Sequence, residues 1–444
     1  MSSKQLTYRQ FAWIQFKKNK AALISFYILF VLFIIAIISP FIANDQPLYI
    51  KYHGERFYPA FRTLTDKVAS DQVVNHETGD TIKFIFKDVD WRRIELDNVW
   101  WALVPYSPNR IDNYNRDYTG PNVKQRLLNY KGNMIELPSR LRHVMGTDKL
   151  GRDVASGLIH GTRISLSVGL LSMLIATVIG LFLGGCAGFY GDFGINLTRL
   201  QFWFIWLGVI VGYFYGFSVR KSIVVKALEE SVFYGTFQAI LGVVILILIV
   251  LVFSKIGRLL SFGRFLSQKV NFPIDSYVNR IIEILNSIPL LILIISLSSL
   301  MSGGSVAMLI IIIGITGWTG VARLIRAEIL RIRQLEYIQA ARVLGFSDIR
   351  IVLKHAIPNG LAPVFVTFAF GVASAILTES GLSFLGIGVP PDTITWGSLL
   401  SLGRAEFEAW WLVLYPGLAI FITITVYNLI GEGLRDALDP KHKK

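Results

Sequence analysis

Long stretches without a single charged side chain constrain this chain more than any other feature. No charge lies between Lys20 and Asp45, between Arg163 and Asp192, or between Glu408 and Glu432, and Ile284 to Ala322 is likewise uncharged. About 20 apolar residues cross a hydrocarbon core about 30 Å thick. The runs predict helical membrane spans at about 21–43, 164–188, 200–218, 233–254, 279–300, 305–321, 361–380 and 411–431. The run from Ile284 is too long for one helix, and Ser302-Gly303-Gly304 is expected to break it into a tight hairpin. A 53% hydrophobic composition and a mean hydropathy of +0.52 agree with a multispanning protein.

The formal net charge of +14 would suggest nucleic acid in a soluble protein. Here basic residues cluster beside spans, as the positive-inside tendency expects, and no nucleic-acid partner is inferred. Lys17, Lys18 and Lys20 precede the first span, which is too long for a signal peptide and is read as a retained anchor. The N-terminus is therefore expected in the cytoplasm, and eight crossings return Lys441, Lys443 and Lys444 to the same side. The loop opening at Ala322 also falls there, with Arg323, Arg326, Arg331, Arg333, Arg342, Arg350 and Lys354, while the external loop near 381–410 has only Arg404. One turn disagrees: Arg220, Lys221 and Lys226 fall outside, offset in part by Glu229 and Glu230. Cys186, the sole cysteine, excludes an internal disulfide and is read as a small packing residue.

Residues 44–163 read as an external segment of mixed charge. Ile82, Phe84 and Phe86 alternate with polar residues as a strand does, and Trp91, Trp100 and Trp101 could supply a small core. A compact subdomain is expected, with an elongated lid on the membrane surface as the alternative.

The stretch from Glu336 to Pro358, EYIQAARVLGFSDIRIVLKHAIP, is too charged for lipid and must lie in water. Tyr337, Ala340, Ala341 and Leu344 fall at i, i+3, i+4 and i+7, one face of a short helix on which two alanines permit close approach. Gly345 suits a helix C-cap, Ser347 an N-cap, and Pro358 is expected to end the second helix. Ala340-Ala341, three residues, Gly345, nine residues, His355, two residues and Pro358 resemble the EAA loop of ABC-importer permeases. In that family the loop docks on an ATPase subunit.

Other segments carry the resemblance along most of the chain. MGTDKLGRD from Met145 to Asp153, then GLIHGTRISLSVGL, looks like the signature ahead of the second core span in C-type permeases of dipeptide, oligopeptide and nickel importers. Arg280, Glu283 and Pro289 match that family's spacing in the next core span, with Glu where Asp is usual. GLSFLGIGVPPDTITWGSLL from Gly381 resembles its external segment, and FIANDQPLYIKYHGERFYPAF from Phe41 looks most like the Yej-type branch, the microcin C and oligopeptide importers. Gln339 departs from the pattern where the loop's acidic residue is usual, and an insert from about Phe193 to Phe272 adds two apolar runs.

The resemblance implies an all-α polytopic membrane protein: a six-span type I ABC-importer permease core, an inserted two-span hairpin and an extracytoplasmic insertion. Boundaries are expected at 1–43, 44–163, 164–192, 193–272 and 273–444, with the docking loop at 322–358. It further implies a bacterial inner membrane, a heterodimer with a B-type permease, two cytoplasmic ATPases and an extracytoplasmic solute-binding protein. ATPase coupling would rest on Tyr337, Gln339, Ala340, Ala341, Leu344, Gly345, His355 and Pro358. No catalytic or metal residue is expected, and ATP and Mg would sit on the partner subunits: no G-x-x-x-x-G-K-[ST], H-E-x-x-H or nucleophile-elbow motif occurs.

Glu283 and Glu379 are acids at or near apolar spans, where such residues face protein or water. They could line a solute path; the alternative puts both near the interface, with Glu283 paired to Arg280. Pro289 should bend its helix, and Asn286 could satisfy the carbonyl it frees. His355 is read as a packing residue, and Asp148, Arg152 and Asp153 as caps that brace the external face. An ion-coupled secondary transporter and a non-transporting scaffold or sensor are the rival functions. The first commonly shows internal repeats, and none is evident. Peptide is the cargo implied, with nickel and a peptide-nucleotide antibiotic left open.

Overall fold

The computed structural model describes residues 8–52, 54–66, 70–74, 81–94, 96–128, 132–230, 232–262, 265–300, 305–390 and 392–438. The expected hairpin at Ser302-Gly303-Gly304 and the terminal lysines lie outside the described residues. Helices dominate, as they must where hydrocarbon offers the backbone no hydrogen-bond partner. α1 (Tyr8–Lys18) leads into α2 (Lys20–Ile42), and Asn19 caps α2 by accepting the Ala22 amide at 3.1 Å.

A β-rich segment follows: β1 (Tyr49–Tyr52), β2 (Glu55–Phe57), α3 (Pro59–Thr65), β3 (Ser70–Val74), β4 (Thr81–Ile85), β5 (Asn98–Trp100), β6 (Arg126–Leu128) and β7 (Met134–Glu136). The strands pair antiparallel in the order β2-β1-β5, with separate hairpins β3–β4 and β6–β7. Ile50 lies opposite both Phe57 and Val99, and Ile50, Phe57, Phe86 and Trp91 form a buried core. Trp91 takes the place expected for it, its Nε1 donating to Gln46 Oε1 at 2.8 Å. Trp100 does not: strand residues alternate faces, Val99 points inward, and Trp100 is left 67% exposed.

The chain continues through α4 (Val154–Tyr190), β8 (Asn196–Thr198), α5 (Arg199–Tyr213, prolonged by a π turn at Phe214–Ser218), α6 (Lys221–Glu230), α7 (Val232–Leu259) and β9 (Lys269–Asn271). It ends with α8 (Ile274–Ser287), α9 (Leu290–Leu300), α10 (Val306–Ile332), α11 (Glu336–Val343), α12 (Asp348–Ile351), α13 (Ile357–Gly360), α14 (Ala362–Phe384), α15 (Trp396–Gly403) and α16 (Trp411–Leu438). Among the described residues 7 helices are long and apolar enough to cross a membrane, and the pair α8–α9 makes an eighth crossing if counted as one.

Three expectations need correction. The helix that carries the second span starts at Val154, ahead of the uncharged run at 164, because Asp153 accepts the Ser156 amide at 2.6 Å and starts the helix there. The span expected at 279–300 is two helices bent by 88°. Pro289 supplies no amide hydrogen and forces Ile288 into an extended conformation (φ −97°, ψ 127°), which ends α8. Finally, no loop opens at Ala322, since α10 runs on to Ile332.

Contacts divide the chain into two units: Met1–Ser25 with Val168–Ala375 and Tyr427–Lys444, and Phe26–Ser167 with Ile376–Val426. Within the first, α10 is the central element: 67% of its apolar window is buried, against 6% for α7. Rows of glycine make the closest helix contacts. A Cβ at Gly180, Gly184 or Gly188 of α4 would lie 2.7, 2.3 or 2.7 Å from Val321 Cβ, Ala322 O or Arg326 O of α10. Gly208, Gly212 and Gly216 similarly seat α5 and its π turn on α7, the small-residue spacing that lets helices approach in lipid. Within the second unit, Val154, Ala409, Trp411 and Leu412 form a core, and Trp411 Nε1 donates to Thr147 O at 3.0 Å.

Candidate functional site

The polar stretch after α10 is a stiff elbow. Its short helix α11 ends in a Schellman arrangement: Gly345 N–H donates to Arg342 O at 3.0 Å and Phe346 N–H to Ala341 O at 3.1 Å. Gly345 has φ +78°, which glycine alone adopts cheaply, and open space where a side chain would be. Ile338, Ile351 and Ala356 are fully buried beneath the elbow, and Gly360 packs against Ile325 and Ile332 of α10. Cations fasten the rest. Arg333 donates to Gly188 O and Phe189 O at 3.2 and 3.3 Å, Arg342 lies 4.8 Å from the Phe189 ring centre, and Arg350 lies 4.6 Å from that of Phe346. His355 stacks on Phe346 with ring centres 6.3 Å apart, the packing role expected of it.

The expected helical face is redistributed. Ala341 is buried, Leu344 lies beyond the helix at its C-cap, and Tyr337, Gln339 and Ala340 are exposed. Ser347 occupies the N-cap position of α12 without a side-chain cap bond. Pro358 does not end the second helix; it stands in the first turn of α13. It offers no amide to the Lys354 carbonyl and its ring crowds that oxygen, so the backbone widens into a π turn at Val352–Ala356. Sequence reasoning missed the outer surface. Val343, Leu344, Ile349 and Leu353 are 88, 73, 66 and 61% exposed, an apolar patch on an otherwise charged segment. Ile349 and Leu353, at i and i+4, were the available signal.

Glu283, Asn286 and Pro289 lie on the exposed side of α8 and at its break. Arg280 Nη1 donates to Glu283 Oε2 at 3.0 Å, as one reading expected. Asn286 does not serve the carbonyl freed by Pro289; its Oδ1 accepts from Thr319 Oγ1 at 3.3 Å. Glu379, in the other unit, is fully buried within the protein. Ser383 Oγ donates to it at 2.8 Å and Ser165 and Ser380 at 3.4 Å, so hydroxyls replace lost water. Nearby, a cavity of about 340 Å³ is lined by Ser383, Ile394 and Leu402 with Asp148, Arg152 and Asp153.

Asp148 and Asp153 act as local braces. Asp148 accepts the Leu150 and Arg152 amides at 2.9 Å and Arg152 Nε at 2.6 Å, while Asp153 starts α4. Sequence reasoning did not find the partner of Asp153. His143, wholly buried, places Nδ1 2.8 Å from Asp153 Oδ2 and Nε2 3.3 Å from Asp112 Oδ2. Tyr106 stacks on its ring, and Arg92, paired with Asp90, reaches to 3.6 Å from Asp112. Burial alone would lower the His143 pKa, but hydrogen bonds to both carboxylates outweigh it and hold the pKa above the ordinary 6.5. Burial pulls Asp112 upward, and the His143 bond, the Tyr114 amide and Arg92 overcome it, leaving a pKa of about 2.

Residues 259–444 match the family described as the inner membrane component of binding-protein-dependent transport systems, and residues 7–59 match the N-terminal transmembrane domain of oligopeptide transport permease C. The chain is 30% identical to the dipeptide transport system permease protein DppC of Bacillus subtilis over 310 residues, 69% of this chain and 72% of that one. Similarity to the inner membrane ABC transporter permease protein YejE of Escherichia coli is 26% over 435 residues, 97% of this chain and 96% of the other. The oligopeptide transport system permease protein OppC of Salmonella typhimurium is 42% identical over 171 residues, 38% of this chain and 56% of that one.

Proposed function

This chain belongs to the family of inner-membrane components of binding-protein-dependent transport systems, as the Yej-like permease subunit of an ABC importer, and from that membership we propose how it couples to its partners and what it carries. The cargo is a peptide or peptide-like solute, a reading supported by the dipeptide and oligopeptide carriers it resembles. The partners are a B-type permease in a heterodimer, two ATPases that hold ATP and Mg, and a solute-binding protein; this chain itself catalyses nothing. Both termini lie in the cytoplasm, on the same side as the elbow.

The observation that carries the coupling role is the patch of Val343, Leu344, Ile349 and Leu353, held outward by an elbow whose inner side is buried on α10. An apolar surface on a rigid mount can transmit force to a partner. ATP closes the ATPase pair, the elbow with Ala340, Ala341 and Gly345 moves as a unit, and α8–α10 and α14–α16 tilt to open the path alternately. Glu283, Asn286, Pro289 and Glu379 are the proposed path residues. A solute shifts this equilibrium only through unequal affinity for the two states.

Gly345→Arg tests the assignment. The substitution places a bulky cation beside the patch at a position with φ +78°. ATPase subunits should no longer co-purify with the tagged chain, while membrane insertion persists. Normal assembly together with normal uptake would refute the docking role.

A further inference from the structure

We propose that the turn joining α5 to α7 holds the phosphate of an anionic phospholipid, with Arg220 as the fork that grips it and Lys221 and Lys226 beside it. Arg220 Nη2 donates to Oε1 of Gln238, a buried residue of α7, which fixes the guanidinium against the hairpin. Arg220 Nη1 is itself buried and has no hydrogen-bond partner among the described residues. A charged donor in that condition calls for an acceptor, and a phosphate oxygen matches the planar guanidinium. Lys221 and Lys226 are exposed on α6, while Ala227 of the same helix is buried.

The depth of the site is given by its neighbours. Tyr213, Phe214 and Tyr215, just before Arg220, are exposed, as is Tyr234 at the start of α7. Exposed aromatic rings at the end of two apolar helices are characteristic of the headgroup level, where lipid phosphates lie. On the proposed topology this end of the hairpin is extracytoplasmic, the side where basic residues are not favoured. A bound phosphate gives them a reason to be there. The occupant is a lipid rather than a free anion because the flanking faces of α5 and α7 are apolar and exposed along their length.

The full-length chain, extracted in mild detergent from vesicles of phosphatidylcholine with or without phosphatidylglycerol, would be examined by native mass spectrometry. The wild type should retain a phosphatidylglycerol molecule that Arg220→Gln loses. Lys221→Gln with Lys226→Gln should weaken retention several-fold, and Lys255→Gln at the other end of the hairpin should leave it unchanged. Equal retention in wild type and Arg220→Gln, or equal retention of phosphatidylcholine, would overturn the proposal. So would displacement of the lipid by inorganic phosphate at millimolar concentration, which would mark a small-anion site. If Arg220→Gln fails to fold, the double lysine variant decides, with wild-type retention counting against the site.

Discussion

At His143 the geometry dictates the protonation state. Both ring nitrogens face carboxylate oxygens, and only the imidazolium donates from both. Its folded pKa is raised, so its stabilisation is complete below about 6.5, the unfolded value, and is lost as pH climbs through the folded value. The melting temperature of the purified chain should therefore fall on the alkaline side, and His143→Gln should remove that dependence; a flat wild-type profile would refute it. Asp112 has the opposite sign. Its folded pKa of about 2 means that its share is present above 3.8 and fades as pH drops toward 2. Replacing His143 by Leu removes the cation between Asp112 and Asp153 and leaves Arg92 as the charge beside Asp112, a loss of about 3 kcal/mol by analogy with other broken buried pairs. None of this was legible in the sequence, because the two partners lie 10 and 31 residues from His143 and nothing local marks them.

Among the elements, the glycine rows set how closely the helices lie. At Gly184 a Cβ would sit 2.3 Å from the Ala322 carbonyl oxygen, backbone that cannot rotate away. Gly184→Ala should cost about 1–3 kcal/mol, and Gly184→Leu should prevent accumulation of folded protein. Gel filtration and thermal melting after extraction would check both, and a stable Leu variant would contradict the packing. Turn chemistry was readable where one residue type has no substitute. Gly345 at φ +78° follows from covalent geometry alone, whereas Pro289, expected to bend one span, divides it into α8 and α9. Helix boundaries were less readable. The terminal turns of α10 carry Arg323, Arg326 and Arg331, and a hydropathy count reads charge as the end of a helix, whereas backbone hydrogen bonding continues until Ile332. On α11 the expected face stays outward at Tyr337, Ala340 and Leu344, while Ala341 turns inward, because periodicity identifies a stripe without saying what will cover it.

For the whole molecule, uncharged runs mark where the chain can cross, because lipid rejects an unpaired backbone. They do not tell which helix is central; that emerges only from packing, with α10 enclosed and α7 almost bare. The coupling reading predicts that uptake of a labelled dipeptide by proteoliposomes with the full set of partners needs internal ATP. It should survive a protonophore, and dependence on the proton gradient alone would favour a secondary carrier. One dimension follows from α10. A helix rises about 1.5 Å per residue, so Val306–Ile332 measures about 40 Å, some 10 Å more than a hydrocarbon layer. On the proposed topology the surplus, with Arg323, Arg326 and Arg331, is a stem that lifts the elbow clear of the lipid. On the proposed coupling, a water-borne motor seats itself on the patch without deforming the bilayer, and shortening the stem by a turn should uncouple fuel from cargo even with every contact residue intact.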